Sequence, residues 1–227
     1  MKKIIPRILC GTLIGLLGTM ALAQGSRSAA AYEAIGIDTA DVLAGTVLQA
    51  IVVPGGEKQV VSLVTYFTGE KTKEGAVNVR LDVLRAKGNQ LAPIYTRDYG
   101  AENGGFVGEG DLQLVDLDRD GVNEIVVSFA TFADPLIDQR LGEVILYEKD
   151  GFQTAWAHPV EYDATRAARN VPLERRDRYE RELDLINTLR TRGITLFFNK
   201  KVIAVAGERL PEPKLIQETF PLRERER

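Results

Sequence analysis

The sequence predicts a mainly β fold: a sandwich- or propeller-like antiparallel domain with one amphipathic helix near the C-terminus. Three observations predict it. Short apolar, β-branched runs recur from about Val47 to Trp156, bounded by glycine-containing turns, as in all-β domains. Several of these runs alternate apolar and polar residues, the pattern of a strand with one buried face. One later segment, Val171–Gly193, carries helical spacing instead.

The first 23 residues read as a signal peptide. Lys2, Lys3 and Arg7 give a basic start, an apolar run extends from Ile8 to Leu22, and Ala21–Ala23 offers small residues for cleavage before Gln24. The alternative is an uncleaved membrane anchor. The run from Ile8 to Ala23 is 16 residues long with three glycines, short of the roughly 20 apolar residues a spanning helix needs. Cys10 is the only cysteine and lies inside this segment, after Leu9 and before further apolar residues, a poor setting for lipid attachment. The expected product is exported, periplasmic or secreted, and free of the membrane after cleavage. It has no disulfide, so something else must stabilise it outside the cytoplasm.

Residues 24–44 are small and polar and read as a flexible lead-in. A β-rich domain is expected over 45–210. "TVLQAIVVP" and "KQVVSLVTYF" open it, and in "AVNVRLDVLRA" Val77, Val79, Leu81 and Val83 share one face. "QLAPIYTRDY", "DLQLVDL", "EIVVSFATF", "GEVILYE" and "FQTAWAHPVEY" follow as further strands. Val79–Tyr99 can be laid over Gly142–Tyr162, each a strand, a polar turn, a strand and a terminal tyrosine, with Gly88 against Gly151. Either one unit is repeated or two unrelated hairpins share turn chemistry.

The helix is expected over about 172–192. Pro172 suits a first turn and Gly193 a C-terminal cap. Tyr179, Leu183, Ile186 and Leu189 make an apolar stripe, and Arg190 and Arg192 suit the negative end of the helix dipole. Its charged side reads as a solvated face rather than a partner surface. "ITLFF" and "KVIAVAG" then form a hairpin turning at Asn199–Lys200. Residues 211–227, from "PEPK" to "RERER", read as a charged tail without regular structure.

The net charge of the whole chain is −3; removing residues 1–23 takes three basic and no acidic residues, leaving 26 Lys plus Arg against 32 Asp plus Glu, or −6. That balance argues against nucleic acid, which wants a basic face, and suits a protein that holds cations. Without the leader, roughly 200 residues remain, enough for one domain with a real core.

The cation site is expected in "DLDRDGVNEIVV", Asp116–Val127. Asp116, Asp118 and Asp120 stand on alternate positions and Gly121 permits a sharp turn. A hard divalent cation wants several such oxygen ligands in a flexible cage. The carbonyl of Val122 and the carboxylate of Glu124 would complete the set. Calcium is expected rather than magnesium, which keeps several waters. Zinc lacks ligands, because the chain has one histidine, His158, and no mature cysteine. The loop is not an EF-hand: Val127 stands at loop position 12, where that motif needs a bidentate glutamate, and the flanks are strand text.

With its flanks, "GFVGEGDLQLVDLDRDGVNEIVVSF" resembles the FG-GAP (VCBS-type) repeats of integrin-like β-propellers. Asp116, Asp118, Asp120 and Gly121 match their Asp-x-Asp-x-Asp-Gly-x-x-Asp loop, and Glu124 replaces the final aspartate. "VILYEKDGFQTAW" is similar to the hairpin that often follows such a loop. The resemblance implies calcium held between two strands, and a module that contacts a protein or glycan partner. Only one copy is present. A closed propeller needs at least four blades, and the chain shows at most two candidate units.

The expected function is therefore an exported calcium-binding β protein, its ion structural, working as a binding or scaffold module without catalysis. The alternatives are a secreted hydrolase using carboxylates, or a membrane-anchored envelope protein. No Gly-x-Ser-x-Gly elbow occurs, and His158, beside Pro159, lacks partners for base catalysis. Glu109 and Asp111, next to the loop, are the first carboxylates to suspect for a hydrolase.

Overall fold

The computed structural model describes residues 27–68, 76–102, 107–131, 137–149, 151–165, 171–191 and 193–223. The expected signal peptide lies outside the described residues. A first sheet orders β1 (Val42–Ala50), β2 (Gln59–Thr68), β3 (Ala76–Lys87) and β4 (Gln90–Asp98) as an antiparallel meander. A second runs β5 (Val107–Val115), β6 (Glu124–Thr131), β7 (Asp138–Glu148), β8 (Gly151–Asp163), β9 (Arg178–Leu183), β10 (Ile194–Val205) and β11 (Glu208–Arg223), again each strand beside the next. The mainly β expectation holds, and in its sandwich form.

The main core lies between the sheets. Val61, Leu63, Val79, Leu81 and Val83 of the first meet Leu112, Ile125, Val127, Phe129 and Ile145 of the second. Period-two alternation puts each set on one face, and the expected grouping of Val79, Leu81 and Val83 is realised. A polar clasp joins the sheets at one rim. Arg97 of β4 pairs with Glu143 of β7 at 3.1 Å, and the Tyr99 hydroxyl donates to the same carboxylate at 3.1 Å.

The lead-in is where the fold first departs from expectation. Residues 27–34 form a helix, α1, rich in alanine, the best helix former. Gly36, at φ 73°, ends it, with Gly36 N–H donating to Glu33 O and Ile37 N–H to Tyr32 O, the paired bonds of a glycine-closed C-terminus. Ala31, Tyr32, Ile35 and Ile37 pack on Val47, Val60, Val64 and Leu84, the outer face of the first sheet. This second core explains why β2 is buried for its first seven residues, not on alternate ones. Gly45 makes room for the helix: a Cβ there would stand 2.1 Å from the Tyr32 hydroxyl oxygen.

A third core covers the far face of the second sheet. Trp156 of β8 stacks on Phe198 of β10 with centroids 4.6 Å apart, although β9 lies between them in the sheet. The sheet therefore curls over itself, and Leu117, Val144, Leu146, Ile194 and Leu196 fill the fold. The curl falls where pairing is thinnest, since β8 and β9 share only Glu161–Asp163 against Arg178–Glu180.

Three C-terminal expectations differ from the structure. The segment expected as a helix over 172–192 is strand β9 followed by one helical turn, α2 (Leu185–Thr188). Tyr179 and Leu183 are four apart, a spacing that fits a strand face as well as a helix face. Their strand neighbour Arg181 shares that face, and Ile186, which the helix would have buried, is 67% exposed. Nor does the chain turn at Asn199–Lys200. β10 runs straight through them, and the tight turn falls at Ala206–Gly207, with φ 53° and 82°. The expected tail from 211 is strand β11 as far as Arg223. Pro211, Pro213 and Pro221 lie in a strand at the sheet's edge, where a missing N–H is tolerated. The first two fall at a register shift between Val202 and Ala204.

The internal echo is a pair of real hairpins, β3–β4 and β7–β8. Their turns do not superpose on Gly88 and Gly151, however. Lys87 pairs with Gln90, so Gly88 opens its turn, whereas Gly151 lies past the other turn as the first residue of β8.

Candidate metal centre

The acidic loop closes the β5–β6 hairpin. Val115 pairs with Glu124, which leaves residues 116–123 to make the turn. Its flanks are strands, as expected. The loop is fixed at two points. Leu117 is fully buried and plugs the third core beside Val144 and Leu146. Asn123 reaches the other sheet's β1–β2 connection, its backbone N–H donating to Ile51 O at 2.6 Å and its side chain at 3.2 Å.

Between these anchors the backbone takes two left-handed residues, Arg119 at φ 62° and Gly121 at φ 89°. Glycine adopts that region freely, whereas for arginine it is uncommon and needs support from its surroundings. The support comes from the aspartates. Asp120 N–H donates to Asp116 Oδ1 at 3.0 Å and to Asp118 Oδ1 at 3.3 Å, Gly121 N–H to Asp116 Oδ2 at 3.0 Å, and Val122 N–H to Asp120 Oδ1 at 2.8 Å.

The curl brings Asp116, Asp118 and Asp120 together: one carboxylate oxygen of each lies within 4.8 Å of the others. Two oxygens bound to one calcium ion at 2.3–2.6 Å stand at most about 5 Å apart, so the spacing fits a single ion. The donors are all carboxylate oxygen, which suits a hard cation. Asp118 is buried, Asp116 half-buried and Asp120 exposed, so the group opens to solvent on one side.

Glu124 stands outside this group of three carboxylates. Val122 contributes its N–H to Asp120. Glu124 is 4% exposed and turns its Oε2 to Leu117 N–H at 2.6 Å, bracing the loop's stem. Burial pushes its carboxyl up to about 8; the negative charges of Asp118 and Asp120 add to the rise, and the Leu117 hydrogen bond opposes it.

The other candidates are dispersed. His158 lies exposed on β8 against the rings of Trp156 and Phe220. Asp111 is ion-paired with Arg140, which also donates to Ser128 Oγ and Glu109 O. The sequence reading missed the Arg97–Tyr99–Glu143 clasp. Its members meet only through sheet-on-sheet packing, and no local spacing signals that.

Comparison with protein-family models, with curated proteins and with solved structures returned no match.

Proposed function

We propose that this protein is an exported, calcium-stabilised β-sandwich that serves as a binding or scaffold module for a protein or glycan partner, and not as an enzyme. The convergence of Asp116, Asp118 and Asp120 on one point in a braced hairpin loop carries the reading. The Val122 carbonyl and the Glu124 carboxylate are the candidates to complete the shell, as in the FG-GAP loops the segment resembles. The ion would neutralise carboxylates that otherwise repel one another and tie the β5–β6 turn to the sandwich. Export is the part that rests on the N-terminal residues alone.

Calorimetric titration tests the site. The expected result is one calcium per chain, with a dissociation constant in the range of about 10⁻⁴ to 10⁻³ M common for extracellular modules. Binding should vanish in Asp118→Ala. Full affinity in that variant, or no binding in the wild type, removes the reading.

The alternative of a carboxylate hydrolase has one observation on its side. A groove of about 270 Å³ crosses β7, β8 and β9, and in it Asp138 pairs with Asp163, and Glu161 with Glu180, directly across the strands. Arg178, ion-paired with Asp163 at 3.4 Å, and Lys201, with Glu180 at 3.3 Å, offset part of the repulsion between these like charges. Turnover of a glycoside panel by the wild type, abolished in Glu161→Gln, would make the groove the working site.

A further inference from the structure

We infer that the protein forms a two-fold homodimer by pairing β11 with β11 of a second copy, joining the two large sheets into one.

β11 is the last strand of the second sheet and, at 16 residues, the longest among the described residues. Among the described residues its outer side pairs with no strand. An unpaired strand presents a row of N–H and C=O groups that another chain can match. Natural edges are commonly blunted by proline and charge, and here the prolines are confined to the ends. Pro211 and Pro213 stand before the segment Lys214–Phe220, and Pro221 after it. Between them lie two apolar residues in the open, Leu215 at 75% exposure and Ile216 at 37%.

Symmetry narrows the pairing to a few registers. A two-fold axis normal to the sheet keeps each face on its own side, and directly opposed residues in an antiparallel pair point to one face. One residue must therefore sit on the axis, opposite its own copy. With Leu215 on the axis, Glu212 would face Glu218 of the second copy, a like-charge pair. With Gln217 there, Lys214 would face Phe220 and no charge would be matched. With Ile216 there, Lys214 faces Glu218 twice, once on each side of the axis.

That third register also covers the exposed apolar residues. Ile216 meets its own copy directly. Leu215, on the opposite face, lies opposite Gln217 and diagonal to the second copy's Leu215, within reach of a side chain of that length. Glu218 is held in place for the contact, because Arg181 at 2.6 Å and Lys200 at 3.1 Å fix its carboxylate from within the subunit. One register thus matches the charges, buries both exposed apolar residues and lies between the prolines. A second copy of this chain meets all three requirements with the same seven residues.

This inference is independent of the calcium reading, and its failure would leave that reading untouched. The test is sedimentation velocity on the full chain over a concentration series, with Lys214→Glu as the breaking variant. Its side chain is exposed, so the monomer should fold with an unchanged circular dichroism spectrum. The wild type should sediment as a dimer, and the variant should dissociate with a dissociation constant raised about tenfold or more, since the change sets two like-charge pairs across the axis. A cysteine crosslink reads the register. Ile216→Cys in a Cys10→Ser background should give a covalent dimer with a short bis-maleimide, and Leu43→Cys, on the β1 edge of the other sheet, should not. A wild type that remains monomeric up to about 1 mM, a dimer that Lys214→Glu leaves intact, or crosslinking at Leu43→Cys in place of Ile216→Cys overturns the inference.

Discussion

Two hairpins of this molecule turn in opposite ways. β3 and β4 reverse in two residues: Lys87 pairs with Gln90, and Gly88 takes φ 63°. That turn is held by its own backbone. β5 and β6 reverse through residues 116–123 and gather three carboxylates as they do so. A short glycine turn would have joined those strands without crowding charge. The two hairpins draw their stability from different sources. The first is complete in itself. The second depends on things outside it: a plug in the third core and a tie to Ile51 in the β1–β2 connection, with three carboxylates gathered where a cation could sit.

The largest effect expected on this contrast is at the plug. Leu117 is fully buried, and Leu117→Ala should cost about 3 kcal/mol in a chemical denaturation curve, whether calcium is present or not. Loss of the calcium effect along with the stability would show that the plug positions the site. Gly88→Ala probes the other hairpin. A Cβ there meets nothing within 4 Å, so only the left-handed backbone is penalised, at about 1 kcal/mol. Calcium should not change that figure.

The stem of the first hairpin carries its own pH dependence. Asp82 of β3 is fully buried, and its Oδ2 has no hydrogen-bond partner among the described residues. Burial raises its carboxyl; hydrogen bonds from Thr96 and Arg80 oppose the rise, and the charge of Asp98 adds to it. A carboxyl whose folded pKa lies above its unfolded value costs nothing when protonated in both states. It destabilises increasingly as pH rises from about 4 through the folded value. Thermal melts from pH 4 to 7 should therefore show a smaller fall with pH in Asp82→Asn than in the wild type. An equal slope in the two would mean that Asp82 is not the group responsible.

The smallest effect should come from the tie between sheets. Asn123→Ala removes the side-chain bond to Ile51 O but keeps the backbone one at 2.6 Å, for about 0.5–1 kcal/mol. A loss several times larger would mean that the side chain also orients the loop.

Most of the β fold was legible because alternation is a local signal: Val79, Leu81 and Val83 declare a face within five residues. The acidic loop was legible for the same reason, since alternate aspartates before a glycine carry their geometry with them. What stayed hidden depended on partners far along the chain. Tyr179 and Leu183, four apart, satisfy either period, and only the neighbouring β10 makes them a strand face. Residues 27–34 are a short alanine-rich run whose helix gains its stability from Val47, Val60 and Leu84 beneath it. Pro211 and Pro213 argued against any strand, a rule that edges escape. Glu124 fell between these cases. Its position in the loop marked it as a ligand, while the structure gives it a hydrogen bond to Leu117 N–H.

The most direct test of the account is the melting temperature of the wild type, stripped of metal and then with 10 mM calcium, beside Asp118→Ala. A site with a dissociation constant in the range of about 10⁻⁴ to 10⁻³ M should add about 2 kcal/mol at that concentration. For a chain of this size that amounts to a rise of about 5 °C. The account predicts this rise in the wild type, its reversal by EGTA and its absence in Asp118→Ala. A wild type that melts at one temperature with and without calcium would contradict it.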